Sequence, residues 1–269
     1  MERIAMAKIF AVVNQKGGVG KSTSVFCIGA GLVKEGYRVL LVDVDPQGDL
    51  TKMLGFRTPN TLERTLGEAL QDIVNEASVS SYPEILHHEE GMDFIPGNRT
   101  LTALEFSLVN VMSRETILRT YLTRFRNDYD YILLDCRPAL GLMVINALSA
   151  SDYVLVPVQA ELLAADAVME LISTVNKVRR QINPDLKFGG VFVTMADKTK
   201  FREDIVKVVQ EEYGKAIPVL RSVIPSTNFL PPAFFFSVSA SASISSARYS
   251  SSASFTIFEY SRAELAYIM

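Results

Sequence analysis

Short apolar runs alternate with amphipathic stretches along most of this 269-residue chain. Each run ends in a polar or glycine-rich loop, and we predict strands at 9–14, 39–43, 92–96, 131–135, 153–157 and 190–195. Because these runs are almost continuously apolar, both faces of each strand are expected to be buried. The pattern therefore predicts an α/β fold, a mostly parallel twisted sheet with helices on both faces.

The clearest helix prediction is a stretch of apolar residues spaced three and four apart, ending at Asn183 and Pro184. Its apolar positions are Val168, Leu171, Ile172, Val175, Val178 and Ile182. This spacing places them on one helix face, and the Asn-Pro pair ends the helix. In a fold of this class the active residues gather beyond the carboxyl ends of the strands. The loops after the apolar runs are therefore where we expect the chemistry.

Length and composition narrow the function classes. A chain of 269 residues is long enough for one α/β domain with a full core, and we predict a single domain over 1–269. The net charge of −3 and pI near 5.6 argue against a protein that binds DNA constitutively through overall positive charge, but they leave room for a local basic face. Any DNA binding is therefore expected to be conditional. Cys27 and Cys136 are predicted to be buried thiols in a reducing compartment. Residues 1–8 lack a secretory signal and no apolar run reaches about 18 residues, which predicts a cytoplasmic protein.

The strongest chemical signal is the run KGGVGKST at 16–23, directly after the first predicted strand. A strand, a glycine-rich loop and a helix in this order form a phosphate cradle, because the loop N–H groups and the helix dipole both face the anion. Lys21 is predicted to reach the terminal phosphates, and the Ser22 hydroxyl to ligate Mg2+. The predicted nucleotide-binding set is Gly17, Gly18, Val19, Gly20, Lys21, Ser22 and Thr23. We therefore predict binding of ATP or GTP.

One departure from the standard phosphate loop is informative. Gln15 stands where the standard motif has its first glycine, and an additional lysine, Lys16, follows it. On the residues alone, Lys16 is explained equally well as a solvated loop lysine or as a group that contacts phosphate. The motif is thus a deviant form whose extra lysine needs an explanation from the rest of the chain.

Three aspartates, Asp43, Asp45 and Asp135, lie at or just beyond the ends of predicted strands, at the same edge of the sheet. Phosphoryl transfer to water needs a held Mg2+ and a group that orients the attacking water. Asp45, which lies farther into its loop than Asp43, is the candidate for the water, although Asp45-Pro46 is also typical of a simple turn. Asp135 ends an apolar run as an acid of the Mg2+ shell does. The loop after Asp135, residues 136–141, is expected to sense the terminal phosphate.

The chain near its C-terminus has a different composition. Ten of the eighteen residues from 237 to 254 are serine, and three phenylalanines at 234–236 precede them. Alternating apolar residues would allow a weak strand, but such a composition is more typical of a loop or of disorder. We predict an atypical segment at about 234–254 within the single domain.

Taken together, KGGVGKST, VDVDPQGDLT and LLDCRPALG resemble the ParA/MinD group of deviant phosphate-loop ATPases, most closely the small ParA (Soj-like) partition proteins. The resemblance continues to VIPS and covers most of 8–225. It implies the P-loop NTPase fold and a homodimer that forms when ATP is bound. It also implies that Lys16 crosses the dimer interface to the other copy's nucleotide, so that Lys16, Lys21 and Asp45 are catalytic.

The same resemblance implies the surroundings of the nucleotide. Asp43 and Asp135 match acids around the Mg2+ site, to which Ser22 also belongs. Met195 and Pro225 are expected at the adenine pocket. The preference for ATP over GTP is inherited from the resemblance, and weak intrinsic turnover is expected.

Partners also follow from the resemblance. The ATP dimer is expected to bind DNA without sequence preference and to associate with the nucleoid, and a ParB-like centromere-binding protein is expected to stimulate hydrolysis and release. Candidate DNA contacts are Lys198, Lys200 and Arg202. A second basic group, Lys177, Arg179 and Arg180, is also explained by the end of a helix. Dimerisation would double a weak basic face and steepen the salt dependence of binding.

Departures from the family pattern leave alternatives open. Arg137 stands where relatives often carry proline, and 226–232 lacks a basic residue often found there.

The second candidate function is that of a MinD-like ATPase that cycles on membranes, which requires a basic amphipathic C-terminal helix. Residues 264–269 are few and contain no lysine or arginine, so no membrane binding is expected. A non-hydrolysing scaffold is disfavoured by the trio Lys16, Lys21 and Asp45.

Overall fold

A computed structural model describes residues 6–77, 82–159, 165–195 and 207–224. Its strands are β1 (Lys8–Val12), β2 (Val39–Asp43), β3 (Leu86–His87), β4 (Asp93–Ile95), β5 (Tyr131–Asp135), β6 (Tyr153–Gln159), β7 (Lys187–Thr194) and β8 (Val219–Ile224). They form one sheet in the order β3-β4-β2-β5-β1-β6-β7-β8. The paired strands are parallel apart from β3 and β4, which are antiparallel. The predicted mostly parallel sheet is confirmed.

Helices cover both faces of the sheet. They include α1 (Lys21–Lys34), α2 (Asp49–Met53), α3 (Leu66–Val74), α4 (Thr100–Ser107), α5 (Ile117–Leu122), α6 (Leu142–Ala150) and α7 (Ala165–Gln181). Alternate strand residues point to opposite faces. Thus Phe10 and Val12 pack with α1 and α2, whereas Ile9 and Ala11 pack in a core shared with α3 to α7.

The centre of the sheet brings the predicted chemistry together. Strand β5 lies between β1 and β2, and Asp135 is in register with Val12 of β1 and with Asp43 of β2. Strands β2 and β5 are buried along their whole length. The loops that leave the carboxyl ends of these three strands therefore meet at one edge, as the sequence predicted.

The sequence located six of the strands and missed two. β3 has two residues and β8 contains an arginine and a serine, so neither makes a long apolar run. β7 begins at Lys187, before the predicted run, because its first residues pair with β6 although the lysine itself is exposed. The predicted α7 face is buried, with Ile182 half-buried just after the helix.

Two further predictions concern the thiols and the chain's last part. Cys27 and Cys136 are free and buried, as expected. Within the described ranges, no helix combines the length and the apolar character needed to cross a bilayer. The serine-rich segment at 234–254 lies outside the described residues, so its predicted loop or disorder stays a prediction.

Candidate active site

The phosphate loop is held from two neighbouring strands. At its start, Asn14 Nδ2 donates to the Pro157 carbonyl of β6 at 2.6 Å, and Asn14 Oδ1 accepts from the Lys16 N–H at 2.9 Å. Near its end, the Thr194 hydroxyl of β7 donates to the Val19 carbonyl at 2.9 Å. These side chains are buried, so solvent does not compete for the bonds. The shape of the loop thus depends on strands that come more than 130 residues later.

Glycines give the loop an open, N–H-rich surface. Gly18 and Gly20 have φ of 73° and 78°, a left-handed conformation that favours glycine. A Cβ placed on Gly17 or Gly18 would meet nothing within 4 Å, so space lies open above the loop. Gly20 is the N-cap of α1 and supplies no side-chain cap. The first-turn N–H groups are therefore suited to an anion such as phosphate.

Lys21 lies inside the curve of the loop. Its Nζ donates to the Lys16 carbonyl at 3.0 Å, and the residue is 8% exposed. Burial lowers the pKa of Lys21, and the carboxylate of Asp135 opposes that change. The ammonium is thus buried inside the loop, and its contact with the terminal phosphates stays a prediction. The backbone of Lys16 shapes the loop through its N–H and carbonyl, while the role of its side chain stays a prediction.

Asp43 secures the loop between β2 and α2. Its Oδ1 accepts from the Asp45 N–H at 3.1 Å, and its Oδ2 accepts from the N–H and hydroxyl of Thr51 at 2.9 and 2.6 Å. The Thr51 hydroxyl in turn accepts from the Gly97 N–H at 2.9 Å. Both oxygens of Asp43 are therefore engaged by protein groups. This arrangement suits an acid that supports the metal site from behind better than one that ligates directly.

Asp135 is the acid that fits a metal. It is 1% exposed, and neither of its carboxylate oxygens has a hydrogen-bond partner among the described residues. Burial raises its pKa well above the ordinary value, Asp43 raises it further, and the nearby Ser22 and Lys21 lower it in part. A buried carboxylate without a partner is costly, and Mg2+ prefers oxygen ligands. Asp135 and Ser22 are therefore the residues that would hold Mg2+.

Asp45 forms the turn that its sequence also suggested. Its Oδ1 accepts from the Gln47 N–H at 2.9 Å and its carbonyl accepts from the Gly48 N–H at 2.9 Å. Gly48 has φ of 65°, as the end of this turn requires. Asp45 is half-buried at the edge where the phosphate loop lies. The same side chain can form this turn and contact water, and the role of Asp45 in orienting the attacking water stays a prediction.

Met195 lies against the phosphate loop. Its Cε is 3.7 Å from the position that a Cβ on Gly20 would take, and its N–H donates to the Ile224 carbonyl at 2.8 Å. An adenine contact by Met195 is thus compatible with its place but stays a prediction. Pro225, the other residue predicted at the adenine pocket, lies outside the described residues. The three predicted DNA contacts also lie outside them: Lys198, Lys200 and Arg202.

The second basic group is exposed. Lys177, Arg179 and Arg180 lie on the solvent side of α7, and the arginines are in its last turn. Positive charge there is favourable to the helix dipole, so the exposure alone does not assign a partner.

Three residues of the site were missed from the sequence: Asn14, Thr51 and Thr194. Asn14 is a polar residue at the end of an apolar run, and Thr51 ends the VDVDPQGDLT motif, so each carried a weak signal. Thr194 carried none, because its bond to Val19 joins residues 175 positions apart.

Comparisons with known proteins agree with this geometry. The family profile described as "AAA domain" (AAA_31) matches residues 7–188. The sporulation initiation inhibitor protein Soj of Bacillus subtilis is 39% identical over 221 residues, which is 82% of this chain and 85% of that protein. The chromosome partitioning protein ParA of Myxococcus xanthus is 40% identical over 215 residues, covering 79% and 74%.

Among solved structures, one of Mycobacterium smegmatis is similar over the same region. It is described as cobyrinic acid a,c-diamide synthase with bound ATP analog and magnesium. It is 38% identical, covers 82% of this chain and 88% of its own, and superposes with a TM-score of 0.75.

Proposed function

This chain belongs to the AAA domain family of ParA/MinD-like phosphate-loop ATPases, and on that premise we propose that it is an ATP-hydrolysing partition protein that segregates DNA. The observation that carries the proposal is that Lys21 is buried inside the phosphate loop near Asp135, whose buried carboxylate has no hydrogen-bond partner among the described residues. A buried ammonium beside a buried carboxylate suits a nucleotide that brings both phosphate and a divalent cation. ATP and Mg2+ are accordingly the expected substrate and cofactor, as in the solved relative with a bound ATP analog and magnesium.

Each residue has a distinct part in hydrolysis. The loop N–H groups and Lys21 hold the phosphates in one orientation, which lowers the entropy cost of reaction. Mg2+, held by Ser22 and Asp135, would neutralise charge that develops on the phosphate oxygens. Asp45 orients the attacking water from the half-buried edge beside the loop.

The finer proposal is a timed DNA switch. Two copies join when ATP is bound, with Lys16 of each reaching the nucleotide of the other. The dimer binds DNA without sequence preference, and a ParB-like protein stimulates hydrolysis and release. A net charge of −3 per chain argues that a single copy binds DNA weakly, so doubling an exposed basic surface is what makes binding strong enough to matter.

The decisive experiment measures DNA retention by the Asp45→Ala protein, which is expected to bind ATP but hydrolyse it poorly. Nonspecific duplex DNA is titrated with Mg-ATP or Mg-ADP over a salt series, and Lys21→Ala serves as the control that cannot bind nucleotide productively. We expect retention with ATP alone that weakens steeply with salt. No retention by a protein that light scattering shows to be an ATP dimer would contradict DNA partition.

Two alternatives are tested beside it. A MinD-like membrane cycle would appear as ATP-dependent pelleting with anionic vesicles, which we do not expect. The name of the M. smegmatis relative denotes a different reaction, amide formation on cobyrinic acid. ATP turnover that requires this acid, and that DNA and partner leave unchanged, would favour that reaction instead.

A further inference from the structure

The loop that follows Asp135 is tied down at its far end by a distant glutamate. Helix α6 begins at Leu142 after Gly141, which provides no side-chain cap. Instead the Met143 N–H donates to Glu105 Oε1 on α4 at 3.1 Å. First-turn N–H groups have no partner within their own helix, and a carboxylate also favours the positive helix end. Glu105 therefore caps α6 from 38 residues away.

The same carboxylate also holds the near end of the loop. Arg137 Nη1 donates to Glu105 Oε2 at 2.8 Å, with side-chain exposures of 30% for Arg137 and 19% for Glu105. A charge-assisted bond of this length is stronger than a neutral one, and partial burial reduces competition from water. A Cβ on Gly141 would lie 3.2 Å from Glu105 Oε1, so the backbone approaches this group closely. One side chain thus spans the loop from 137 to 143.

Helix α4 is fixed to the other acid of the site. Just before this helix, the Gly97 N–H donates to the Thr51 hydroxyl, which donates to Asp43. A Cβ on Gly97 would clash with the backbone of Asp43, which shows how closely the two segments pack. The short helix Thr100–Ser107 therefore connects the surroundings of Asp43 to the loop after Asp135. Glu105 is not free to follow that loop if the loop moves.

We propose that Glu105 is a positioning residue that holds the 136–141 loop in the position set by its two contacts, and that ATP binding moves this loop by parting the Glu105–Arg137 ion pair. The Met143 bond is the fixed end, because Met143 is buried in α6. The Arg137 bond is the end that opens, because its long side chain is partly exposed. The coupling to ATP rests on the proposed function, whereas the two contacts of Glu105 do not.

Three variants separate the two contacts. Arg137→Gln removes the ion pair and leaves the Met143 cap, whereas Glu105→Ala removes both. Asp72→Asn is the matched control, since it breaks an ion pair of similar exposure with Arg64 away from this loop. Circular dichroism and urea unfolding establish that each variant is folded, and Arg137→Gln tests the proposal even if Glu105→Ala does not fold.

The first readout is hydrogen exchange of the nucleotide-free protein. Protection of the Met143 amide is expected to fall about ten-fold or more in Glu105→Ala, because a bond to a charged acceptor is lost. It should stay within about two-fold of the parent in Arg137→Gln and Asp72→Asn. Unchanged protection of this amide in a folded Glu105→Ala protein would overturn the assignment.

The second readout follows the loop itself. The chain has no tryptophan, so Ala139→Trp places a single reporter on an exposed loop position. Adding Arg137→Gln should increase acrylamide quenching of this tryptophan and favour ATP over ADP by about two- to five-fold in relative affinity. Asp72→Asn should change neither. If Arg137→Gln changes neither the quenching nor the nucleotide preference, the proposal that the Glu105–Arg137 ion pair holds the loop is overturned.

These arms also separate the proposal from the proposed function. If the parent protein binds no nucleotide, the ATPase assignment fails, yet exchange and quenching in the nucleotide-free protein still confirm or refute the contacts of Glu105. If nucleotide binds and is hydrolysed while the variants change neither readout, the proposed role of Glu105 fails and the ATPase assignment stands.

Discussion

Replacing Thr51 by valine is expected to destabilise the protein severely, although valine has nearly the same shape. The Thr51 hydroxyl is fully buried, donates to Asp43 Oδ2 at 2.6 Å and accepts from the Gly97 N–H at 2.9 Å. Where the Asp43 carboxyl is ionised, losing a bond to it costs about 1.5–3 kcal/mol, and the orphaned Gly97 N–H adds about 1–3 kcal/mol. Allowing for incomplete additivity, the free energy of unfolding should fall by about 3 kcal/mol.

Urea unfolding of the nucleotide-free protein measures this loss, with an unchanged m-value as the sign that the unfolded and folded states are otherwise comparable. Thr51→Ser is the matched control, because it keeps the hydroxyl and loses one methyl group, at a cost of about 1 kcal/mol. A valine variant no less stable than the serine variant would refute the reasoning that this hydroxyl holds the loop around Asp43.

The remaining predictions concern the nucleotide and the acids. Lys21→Ala should abolish nucleotide binding in calorimetry or leave it unproductive for dimer formation, because the phosphates lose their buried ammonium. Lys16→Ala should spare some binding to the single chain but prevent the ATP dimer, and unchanged dimerisation in light scattering would contradict the interface role. Burial raises the pKa of Asp135 and Asp43 above 3.8, so the folded protein holds more protons than the unfolded chain. Without Mg2+ the free energy of unfolding should therefore fall as pH rises from about 4 through the raised pKa values. Urea unfolding in EDTA measures this slope, which Asp135→Asn should reduce.

Much of the fold could be predicted from the sequence, because a buried parallel sheet requires apolar residues along the whole of each strand. Strands covered on both faces need continuous apolar runs, and β1, β2, β5 and β6 each supply one before a loop of distinctive composition. β3 and β8 lie at the two edges of the described sheet, where two residues or a mixed composition suffice. Such strands owe their existence to neighbours rather than to their own pattern.

The candidate site could be predicted only in part, because some of its residues belong to local motifs and others meet only in the folded protein. Lys21 and Asp135 are local to their motifs, whereas the contacts of Thr51 and Glu105 join residues 46 and 38 positions apart. A glutamate within a helix looks like any solvated residue until the register of the sheet brings α6 beside it. Asp45 shows a different limit, because the same short sequence is typical of a turn and of the predicted catalytic aspartate, and only the turn is visible in the structure.

The attachment of the phosphate loop to β6 and β7 has a consequence for the chain as it is being made. β1 emerges first from the ribosome, yet its neighbours β5 and β6 begin at Tyr131 and Tyr153, and the Thr194 bond to Val19 comes later still. Contacts between residues so distant in sequence form slowly, because the entropy cost of ordering the long intervening segment comes before any stabilisation by the contacts. The KGGVGKST segment therefore cannot acquire its binding shape while its chain is half synthesised, and nucleotide can stabilise only a molecule whose sheet has already closed around β1.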